Sequence, residues 1–384
     1  MIYEKHRLLL TLLVALTFSV LLGCTTKDTP PAPRETPEAL AEQPAEAPEQ
    51  PDTPPAEPAS EPAGAPAVEG DPVASMEEPS PMPKGYASTT EVMTAIAKNE
   101  VELLDENVPV PEGVKELAGI EYCNVDGISL KLDLALPETA EGPLPGLIFI
   151  HGGAWVSGER KVYHLYTYKF AQEGYAAATI SYRLANQGKF PAAIEDAKCA
   201  VRWMRAHAAE YGIDPGNIAV IGGSAGGHLA MMVGYSDDAE FKGAGGYDDV
   251  SSAVQAVVNF YGPYDLTADI AKESGDVKDF LGATYQENPD IYLEASPMHY
   301  LDEGDPPTLI FHGTIDDVVP VDQSDRLAAR LEELGIPHGY QRFEGWPHTM
   351  DLAKAVNERC RWFMYRFFEE HLASAPAMAG SSAQ

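Results

Sequence analysis

The feature that most constrains the fold of this chain is a strand, a glycine-rich turn and a helix in immediate succession. Apolar residues from Ile218 run into Gly222-Gly-Ser-Ala-Gly226, and the Leu- and Met-rich segment up to Val233 has helical character. A serine spaced as G-x-S-x-G at such a bend exposes its hydroxyl, and its neighbours must be small to tolerate the strained backbone. The N–H groups that open the helix favour negative charge beside the serine. The stretch predicts acyl-transfer chemistry at Ser224, provided that a base and an acid follow.

Strands and helices are predicted on both sides of this stretch. Apolar runs of strand length alternate with segments of helical periodicity, at 147–150, 175–182, 191–211, 253–260, 308–311, 322–334, 340–343 and 353–371. Ahead of them, 120–125 and 130–136 predict a pair of antiparallel edge strands. Strands that alternate with helices form a mainly parallel sheet with helices on both faces. We therefore expect an α/β fold, with functional residues at the carboxyl ends of its strands.

A second glycine motif, His151-Gly-Gly-Ala-Trp155, directly follows the strand predicted at 147–150. Its paired glycines allow backbone N–H groups to face a ligand, as in an oxyanion loop. An ordinary glycine turn is the alternative, but the place after a central strand and before the serine motif favours the oxyanion loop. We expect His151 to orient this loop rather than to transfer protons.

Two acidic residues, Asp316 and Asp317, lie in a turn after the strand predicted at 308–311. One of them is expected to orient a catalytic imidazole. Asp316 is favoured because it fits the spacing His-Gly-x-x-Asp-x-x-Val-Pro. A turn or a cap of the helix at 322–334 is the alternative use of such an acidic pair.

The candidate general base is His348, in the loop Gly345-Trp-Pro-His-Thr after the last predicted strand. A histidine in such a loop can reach over the sheet edge to within hydrogen-bonding range of Ser224. His338 precedes the last strand, at the opposite edge of the sheet, and His371 lies in the terminal helix. The resulting chain order of Ser, Asp and His is the one expected of an α/β-hydrolase arrangement.

Taken in order, these four motifs resemble those of α/β-hydrolase esterases related to hormone-sensitive lipase, in particular the branch with feruloyl and acetylxylan esterases. The resemblance runs from about Ile120 to Leu372. It implies an α/β-hydrolase fold, with Ser224 as nucleophile, His348 as base and Asp316 as acid. It also implies an oxyanion hole made by the backbone N–H groups of Gly152 or Gly153 and of Ala225. No metal and no organic cofactor is implied.

The loop departs from many of these relatives at Ala154-Trp155, where they have a third glycine and a different aromatic residue. The preferred substrate therefore does not carry over with the resemblance. No long apolar lid lies between His228 and Leu309, which favours a small acyl group such as acetyl on a polar alcohol, for example an acylated polysaccharide. Trp155 and Tyr261, with Tyr264, are candidates to stack on a substrate ring, although packing is the alternative for each.

The first part of the chain predicts export. A polar start is followed by an apolar run of 15 residues, Leu8 to Leu22, which suits a signal-peptide core and is short for a bilayer span of about 20 residues. The sequence that ends in Cys24 resembles the cleavage box of bacterial lipoproteins, with an ordinary secretory signal or an uncleaved anchor as alternatives. We expect 1–23 to be removed and Cys24 to be lipidated, anchoring the protein in a membrane that faces the periplasm or cell surface. By the same resemblance, Thr25 rather than Asp after the cysteine implies sorting to the outer membrane of a Gram-negative cell.

A tether is predicted over 24–85, because 16 of the 32 prolines lie between positions 30 and 83 among alanines and glutamates. Such a composition cannot build a core and forms an extended, disordered linker. We expect a lead-in helix and connection over 86–118, the catalytic domain over 119–372 and a disordered tail over 373–384.

The net charge and the cysteine content bear on which partners and metal ions this chain can bind. The formal net charge of −33 argues against nucleic acid, which needs a basic surface, and disfavours anionic substrates. Beside Cys24, the sequence has Cys123, Cys199 and Cys360, an odd number whose pairing stays open. No Cys/His spacing indicates a metal site.

Two other functions share parts of this pattern. A prolyl-oligopeptidase-like serine peptidase has the same order of catalytic residues, but it needs a large gating domain that a signal segment and a proline-rich tether cannot build. A non-catalytic surface binding protein on the same fold is disfavoured because every catalytic position is filled.

Overall fold

The computed structural model describes residues 82–105, 107–140 and 142–372. The signal segment, Cys24, most of the tether and the tail, all predicted from the sequence, lie outside these residues. None of the described helices is long and apolar enough to cross a membrane.

Eight strands form one sheet, and helices connect them. The strands are β1 (Val114–Val125), β2 (Ile128–Pro137), β3 (Leu144–Ile150), β4 (Ala176–Ile180), β5 (Ile213–Gly223), β6 (Ala256–Phe260), β7 (Thr308–Gly313) and β8 (His338–Phe343). The α-helices of the described residues are α1 (Thr89–Ala97), α2 (His164–Gln172), α3 (Ala192–Ala206), α4 (Ala208–Tyr211), α5 (Ala225–Tyr235), α6 (Asp269–Lys272), α7 (Gly275–Leu281), α8 (Pro289–Glu294), α9 (Asp322–Leu334) and α10 (Lys354–His371).

The strand order is β1-β2-β4-β3-β5-β6-β7-β8. β1 pairs with β2 and β2 with β4 in antiparallel fashion, whereas every pair from β4 to β8 is parallel. Each parallel connection crosses over through at least one helix, as parallel pairing requires. The predicted α/β fold with a mainly parallel sheet is confirmed.

Both faces of the central strands are buried, which explains their nearly continuous apolar character. In β3, Leu147 and Phe149 pack in the core on one face with residues of α2 and α10. The alternate residues, Ile148 and Ile150, pack in the core on the other face with residues of α3 and α5. Successive side chains of a strand point to opposite faces, so a single run of apolar residues supplies both cores.

The loops that carry the predicted site residues follow five adjacent strands. In the order β3-β5-β6-β7-β8, these loops contain His151, Ser224, Tyr261, Asp316 and His348 respectively. Because parallel strands end at the same edge of a sheet, the five loops converge there.

The structure differs from the sequence prediction in several boundaries. β1 begins at Val114, so the predicted domain boundary at 118/119 falls inside a strand. The pairing of β1 with β2 shifts register between Leu117 and Ile120, where Gly119 has φ of 72°. Because this irregularity interrupts the alternation of the strand, the sequence pattern did not predict its first residues. The helix predicted at 191–211 is broken after Ala206, at His207. Helix α2 was not predicted, because five of its nine residues are buried and its polar face is narrow.

A disulfide between Cys123 of β1 and Cys199 of α3 joins residues 76 positions apart. Cys360 of α10 is a free, buried thiol. The sequence left this pairing open because two cysteines so distant along the chain are brought together only by the packing of α3 against the edge strands.

Asp133 of β2 is a buried carboxylate that ties this edge of the sheet to the segment before α2. Its Oδ1 accepts a hydrogen bond from the Gly119 N–H (2.7 Å), and its Oδ2 lies 3.0 Å from His164 Nε2 and 2.9 Å from Arg160. Burial alone would raise the pKa of Asp133, but the hydrogen bonds from His164 and Gly119 and the charge of Arg160 outweigh it and lower the pKa to about 2.

Asp133→Asn is expected to lower the free energy of unfolding by about 1–2 kcal/mol near pH 7. A carboxylate whose pKa is lower in the folded chain stabilises that chain above about pH 4, and this contribution is lost as the pH falls toward about 2. Urea unfolding of both chains over this pH range measures the difference. Asp126→Asn, at an exposed turn position, is the control. A difference that stays constant down to the acid limit would contradict the argument.

Candidate active site

Ser224 lies in a tight turn between β5 and α5, with φ of 55° and ψ of −123°. A Cβ on Gly222 would lie 2.1 Å from the Gly226 carbonyl oxygen, and a Cβ on Gly226 would lie 2.0 Å from that of Ile150. Only glycine allows these approaches. The Ser224 N–H donates to the Phe260 carbonyl (2.9 Å), which fixes the turn to the end of β6. A non-glycine residue in this region costs about 1–3 kcal/mol, which surrounding contacts must offset.

The hydroxyl of Ser224 lies in a chain of hydrogen bonds with His348 and Asp316. Ser224 Oγ is 2.9 Å from His348 Nε2, and His348 Nδ1 is 2.6 Å from Asp316 Oδ2. A carboxylate only accepts hydrogen bonds, so the Nδ1 atom carries the proton and Nε2 is free to accept from the serine. The three residues come from the ends of β5, β7 and β8. This arrangement can move the serine proton to the imidazole during nucleophilic attack.

Asp316 is buried, and both of its carboxylate oxygens have donors. Oδ1 accepts from the N–H groups of Val318 and Val319, each at 2.9 Å. Burial alone would raise the pKa of Asp316, but the charge of His348 and hydrogen bonds from His312 and His348 hold it well below its usual range. The carboxylate therefore stays ionised. Its neighbour Asp317 is exposed.

His312 is a residue of this site to which the sequence prediction assigned no role. Its Nε2 lies 3.2 Å from Asp316 Oδ2 and 2.8 Å from the Val319 carbonyl oxygen. Its Nδ1 is 2.7 Å from Ser324 Oγ. His312 thus contacts the same carboxylate oxygen of Asp316 that faces His348. The available signal was its place four residues before Asp316 in the His-Gly-x-x-Asp motif.

The loop after β3 passes close to the serine. A Cβ on Gly152 would lie 3.2 Å from Ser224 Cβ and 2.8 Å from the Gly223 carbonyl oxygen, so glycine is required there. Gly153 has φ of 114°, and Ala225 is the first residue of α5. The N–H groups at that end of a helix have no acceptor within the helix.

His151 holds this loop in place. Its Nδ1 lies 2.8 Å from the Gly152 carbonyl oxygen, and its ring stacks on Tyr182 with centroids 4.4 Å apart. The Tyr182 hydroxyl donates to the His151 carbonyl (3.0 Å). Burial lowers the pKa of His151, which keeps the imidazole neutral. These contacts fit a role for His151 in holding the loop rather than in transferring protons.

A cavity with mainly apolar walls opens beside Ser224. Its walls come from the loop after β3, the start of α5, the α6–α7 segment and the loop after Asp316, including Trp155, Ala225, Leu266, Ala271, Val277 and Val319. No group of three or more potential metal ligands is clustered within the described part of the chain.

Of the two aromatic residues expected to bind substrate, Trp155 lines the cavity and Tyr261 does not. Trp155 lines the cavity, but it is only 4% exposed, stacks on Phe280 (4.6 Å between centroids) and donates from Nε1 to His228 Nδ1 (3.3 Å). It forms a wall, and its ring face is covered by Phe280. Tyr261 is also buried and is not among the lining residues; its hydroxyl donates to Asp351. The expectation that Tyr261 stacks on a substrate ring is corrected, because its ring packs 4.6 Å from that of His348.

The fold is that of the α/β-hydrolase class, and Ser224, His348 and Asp316 lie in one chain of hydrogen bonds at the edge of its sheet. The chain belongs to the BD-FAE family, whose sequence model matches residues 132–331. This finding agrees with the resemblance to esterases related to hormone-sensitive lipase.

Curated relatives of this chain are esterases. It is similar to Esterase LipC of Mycobacterium tuberculosis, with 35% identity over 218 residues, which are 55% of this chain and 54% of LipC. It is also similar to the probable isoprenylcysteine alpha-carbonyl methylesterase ICMEL1 of Arabidopsis thaliana, with 31% identity over 57% of this chain and 48% of that protein. The chain thus spans about half the length of these curated relatives.

Solved structures extend the similarity to almost complete domains. A truncated form of a carbohydrate esterase from gut microbiota matches with a TM-score of 0.61 and 26% identity, covering 69% of this chain and 99% of that one. The butyrate-bound esterase Est2 of the Planctomycetes species Thermogutta terrifontis matches with a TM-score of 0.59 and 28% identity, covering 68% and 96%. The predicted α/β-hydrolase fold is confirmed by these likenesses.

Separate substitutions of Asp316 and Asp317 test whether Asp316 orients His348 or whether any negative charge in this turn is sufficient. Asp316→Asn is expected to lower kcat for a short-chain p-nitrophenyl ester about 10³–10⁴-fold, because the amide favours the wrong imidazole tautomer. Asp317→Asn removes the same charge at an exposed position and is expected to stay within about twofold of the unaltered chain. Steady-state kinetics of both variants measure the contrast, and equal losses would contradict it.

Proposed function

We propose that this protein is a serine carboxylesterase that hydrolyses short-acyl esters. The observation that carries the proposal is the hydrogen-bonded chain from Ser224 through His348 to Asp316, which begins at the floor of an apolar cavity. Such a chain activates a hydroxyl that is otherwise a weak nucleophile. Membership of the BD-FAE family and similarity to esterases support the same reaction.

In the proposed mechanism, Ser224 Oγ forms a bond to the ester carbonyl carbon while His348 Nε2 takes the hydroxyl proton. The bond between this carbon and the alcohol oxygen then breaks, and His348 returns the proton to the departing alcohol. Water repeats the sequence on the acyl-enzyme and releases the acid. Asp316 holds the imidazole in the required tautomer and stabilises its charged form.

The oxyanion of the tetrahedral intermediate is proposed to bind the backbone N–H groups of Gly152 or Gly153 and of Ala225. The contact between Gly152 and Ser224 supports this role, since it brings the loop next to the reacting carbon. Donors already in place for the developing charge require no reorganisation in the transition state. The start of α5 adds its positive dipole end.

We propose a short acyl group because buried apolar side chains form two walls of the cavity beside Ser224. Trp155, stacked on Phe280, forms one wall, and Ala271 and Val277 of the α6–α7 segment form another. Related Est2 structures with butyrate and with propionate bound support a small acid product. An alcohol that is part of an acylated carbohydrate is proposed from the similarity to a carbohydrate esterase. The net charge of −33 disfavours an anionic alcohol.

We also propose that the protein is exported and anchored to a membrane, with the outer membrane preferred over the inner. The lipoprotein-like sequence ending in Cys24 and the proline-rich stretch after it are the basis for the anchor and the tether. The disulfide between Cys123 and Cys199 supports export, because disulfides persist in oxidising compartments. A peptidase with a gating domain gains no support from the esterase relatives.

The test of the proposed activity is an ester panel with the unaltered chain and Ser224→Ala. Rates are expected to be highest for p-nitrophenyl acetate, to fall along the series to palmitate, and to include release of acetate from acetylated xylan; methyl ferulate tests the feruloyl branch. Ser224→Ala is expected to lose about 10⁶-fold in kcat, because removal of the nucleophile leaves only binding and oxyanion stabilisation. Its thermal midpoint should be nearly unchanged. A binding protein without catalysis would show no turnover, and Ser224 would not react with a fluorophosphonate.

Anchoring is tested by Cys24→Ser in the full chain expressed in a Gram-negative host. The unaltered protein is expected in the membrane fraction and the variant in the soluble fraction, because the thiol is the attachment point for lipid. Cys360→Ser, at a buried thiol of the hydrolase domain, is the matched control and should remain with the membrane. Equal fractionation of all three chains would contradict lipidation at Cys24.

A further inference from the structure

The mechanism leaves one buried carboxyl group beside the site without a function. Asp351 lies three residues after His348, in the 3₁₀ turn Met350–Leu352, and is only 4% exposed. Its carbonyl oxygen accepts a hydrogen bond from Asn357 Nδ2 of α10 (3.3 Å). The loop that carries His348 is thereby attached to the terminal helix. An isolated carboxyl group in such a place is costly unless donors satisfy it.

Two tyrosines, one after a strand and one in a helix, donate to this carboxyl group. The Tyr261 hydroxyl, at the end of β6, donates to Oδ1, and the Tyr166 hydroxyl of α2 lies 3.4 Å from Oδ2. Burial raises the pKa of Asp351, and the hydrogen bonds from Tyr261 and Tyr166 oppose that rise. The Asp351 carboxyl group thus connects the 3₁₀ turn, the end of β6 and helix α2.

Tyr261 is the member of this cluster that touches the proposed catalytic residues. Its ring centroid lies 4.6 Å from that of His348, with an angle of 57° between the planes. Its backbone has φ of 42°, unusual for a residue other than glycine, and its N–H donates to the Phe311 carbonyl (2.8 Å). A strained conformation held at this point indicates that the surrounding contacts determine where the ring lies.

The Tyr261 hydroxyl, together with that of Tyr163, also limits the turn that carries Ser224. A Cβ on Gly223 would lie 2.7 Å from the Tyr163 hydroxyl oxygen and 3.2 Å from that of Tyr261. Of these two tyrosines, Tyr261 is the one hydrogen-bonded to Asp351, and its hydroxyl lies beside the residue before Ser224. The cluster consequently contacts both the nucleophile turn and the imidazole that must meet at hydrogen-bonding distance.

We infer that Asp351, acting through Tyr261, is a positioning residue that holds the His348 ring in line with Ser224. The inference rests on the proposed esterase function. The hydrogen bond to Asp351 fixes the Tyr261 hydroxyl, and the Tyr261 ring then restricts the rotation of the imidazole. A small displacement of a reacting group lowers the rate of the chemical step more than it weakens substrate binding.

The test compares Asp351→Asn and Tyr261→Phe with the unaltered enzyme on p-nitrophenyl acetate. Each variant is expected to lose about 10–100-fold in kcat with KM changed less than about twofold. The double variant is expected to lose little more than the worse single one, because both changes break the same connection. Tyr166→Phe is the matched control: it removes a hydrogen bond to the same carboxyl group, but its ring packs on Phe149 and Phe260. We expect it to keep kcat within about threefold.

A second measurement does not depend on turnover. The proton between His348 Nδ1 and Asp316 Oδ2 is expected to give a downfield proton NMR signal in the unaltered chain. This signal is expected to broaden or shift in Tyr261→Phe and Asp351→Asn but not in Tyr166→Phe. If Asp351→Asn does not fold, Tyr261→Phe, which keeps the ring, carries the test. If the unaltered enzyme is inactive, the proposed esterase function is wrong. The NMR signal would still show whether Asp351 and Tyr261 position the His348 ring. Folded variants with unaltered kcat and signal, or a loss in Tyr166→Phe equal to that in Tyr261→Phe, would overturn the inference.

Discussion

The site depends on how closely three backbone segments approach one another at the Ser224 turn. The helix after the serine packs against the end of β3 so tightly that Gly226 has no room for a side chain beside the Ile150 carbonyl oxygen. The loop after β3 then passes at similarly short range, at Gly152. Nucleophile and candidate oxyanion donors are thus brought together by backbone contact, which varies less than contact through flexible side chains. Every other residue of the site is arranged around this contact.

Buried carboxyl groups perform different tasks according to their partners. Asp316 faces two imidazoles and two backbone N–H groups, and its pKa falls despite burial, which suits a permanent negative charge beside His348. Asp351 faces tyrosine hydroxyls, which cannot match the effect of burial, and its pKa rises. One residue type therefore supplies charge in one place and hydrogen-bonded attachment in another. The partners, and not the depth of burial, decide between them.

One wall of the cavity beside Ser224 is fixed by the backbone of the loop after β3. Ala154 and Trp155 both have positive φ, at 53° and 61°. This backbone directs the indole inward, where Phe280 covers its face and His228 accepts its N–H. His228 in turn contacts the Ala295 carbonyl oxygen at 2.7 Å, so the wall is connected to the end of α8. The Trp155 wall is therefore held by its backbone, by Phe280 and by His228 together.

The order of strands and helices, the α/β class and the residues Ser224, Asp316 and His348 were all accessible from the sequence, because apolar periodicity and glycine spacing are local properties. The tertiary structure decided what depends on distant partners. It paired Cys123 with Cys199, turned Tyr261 inward toward Asp351, and placed His312 beneath the candidate acid. Each of these contacts joins elements whose proximity follows from sheet order and helix packing, which a pattern along the chain does not contain.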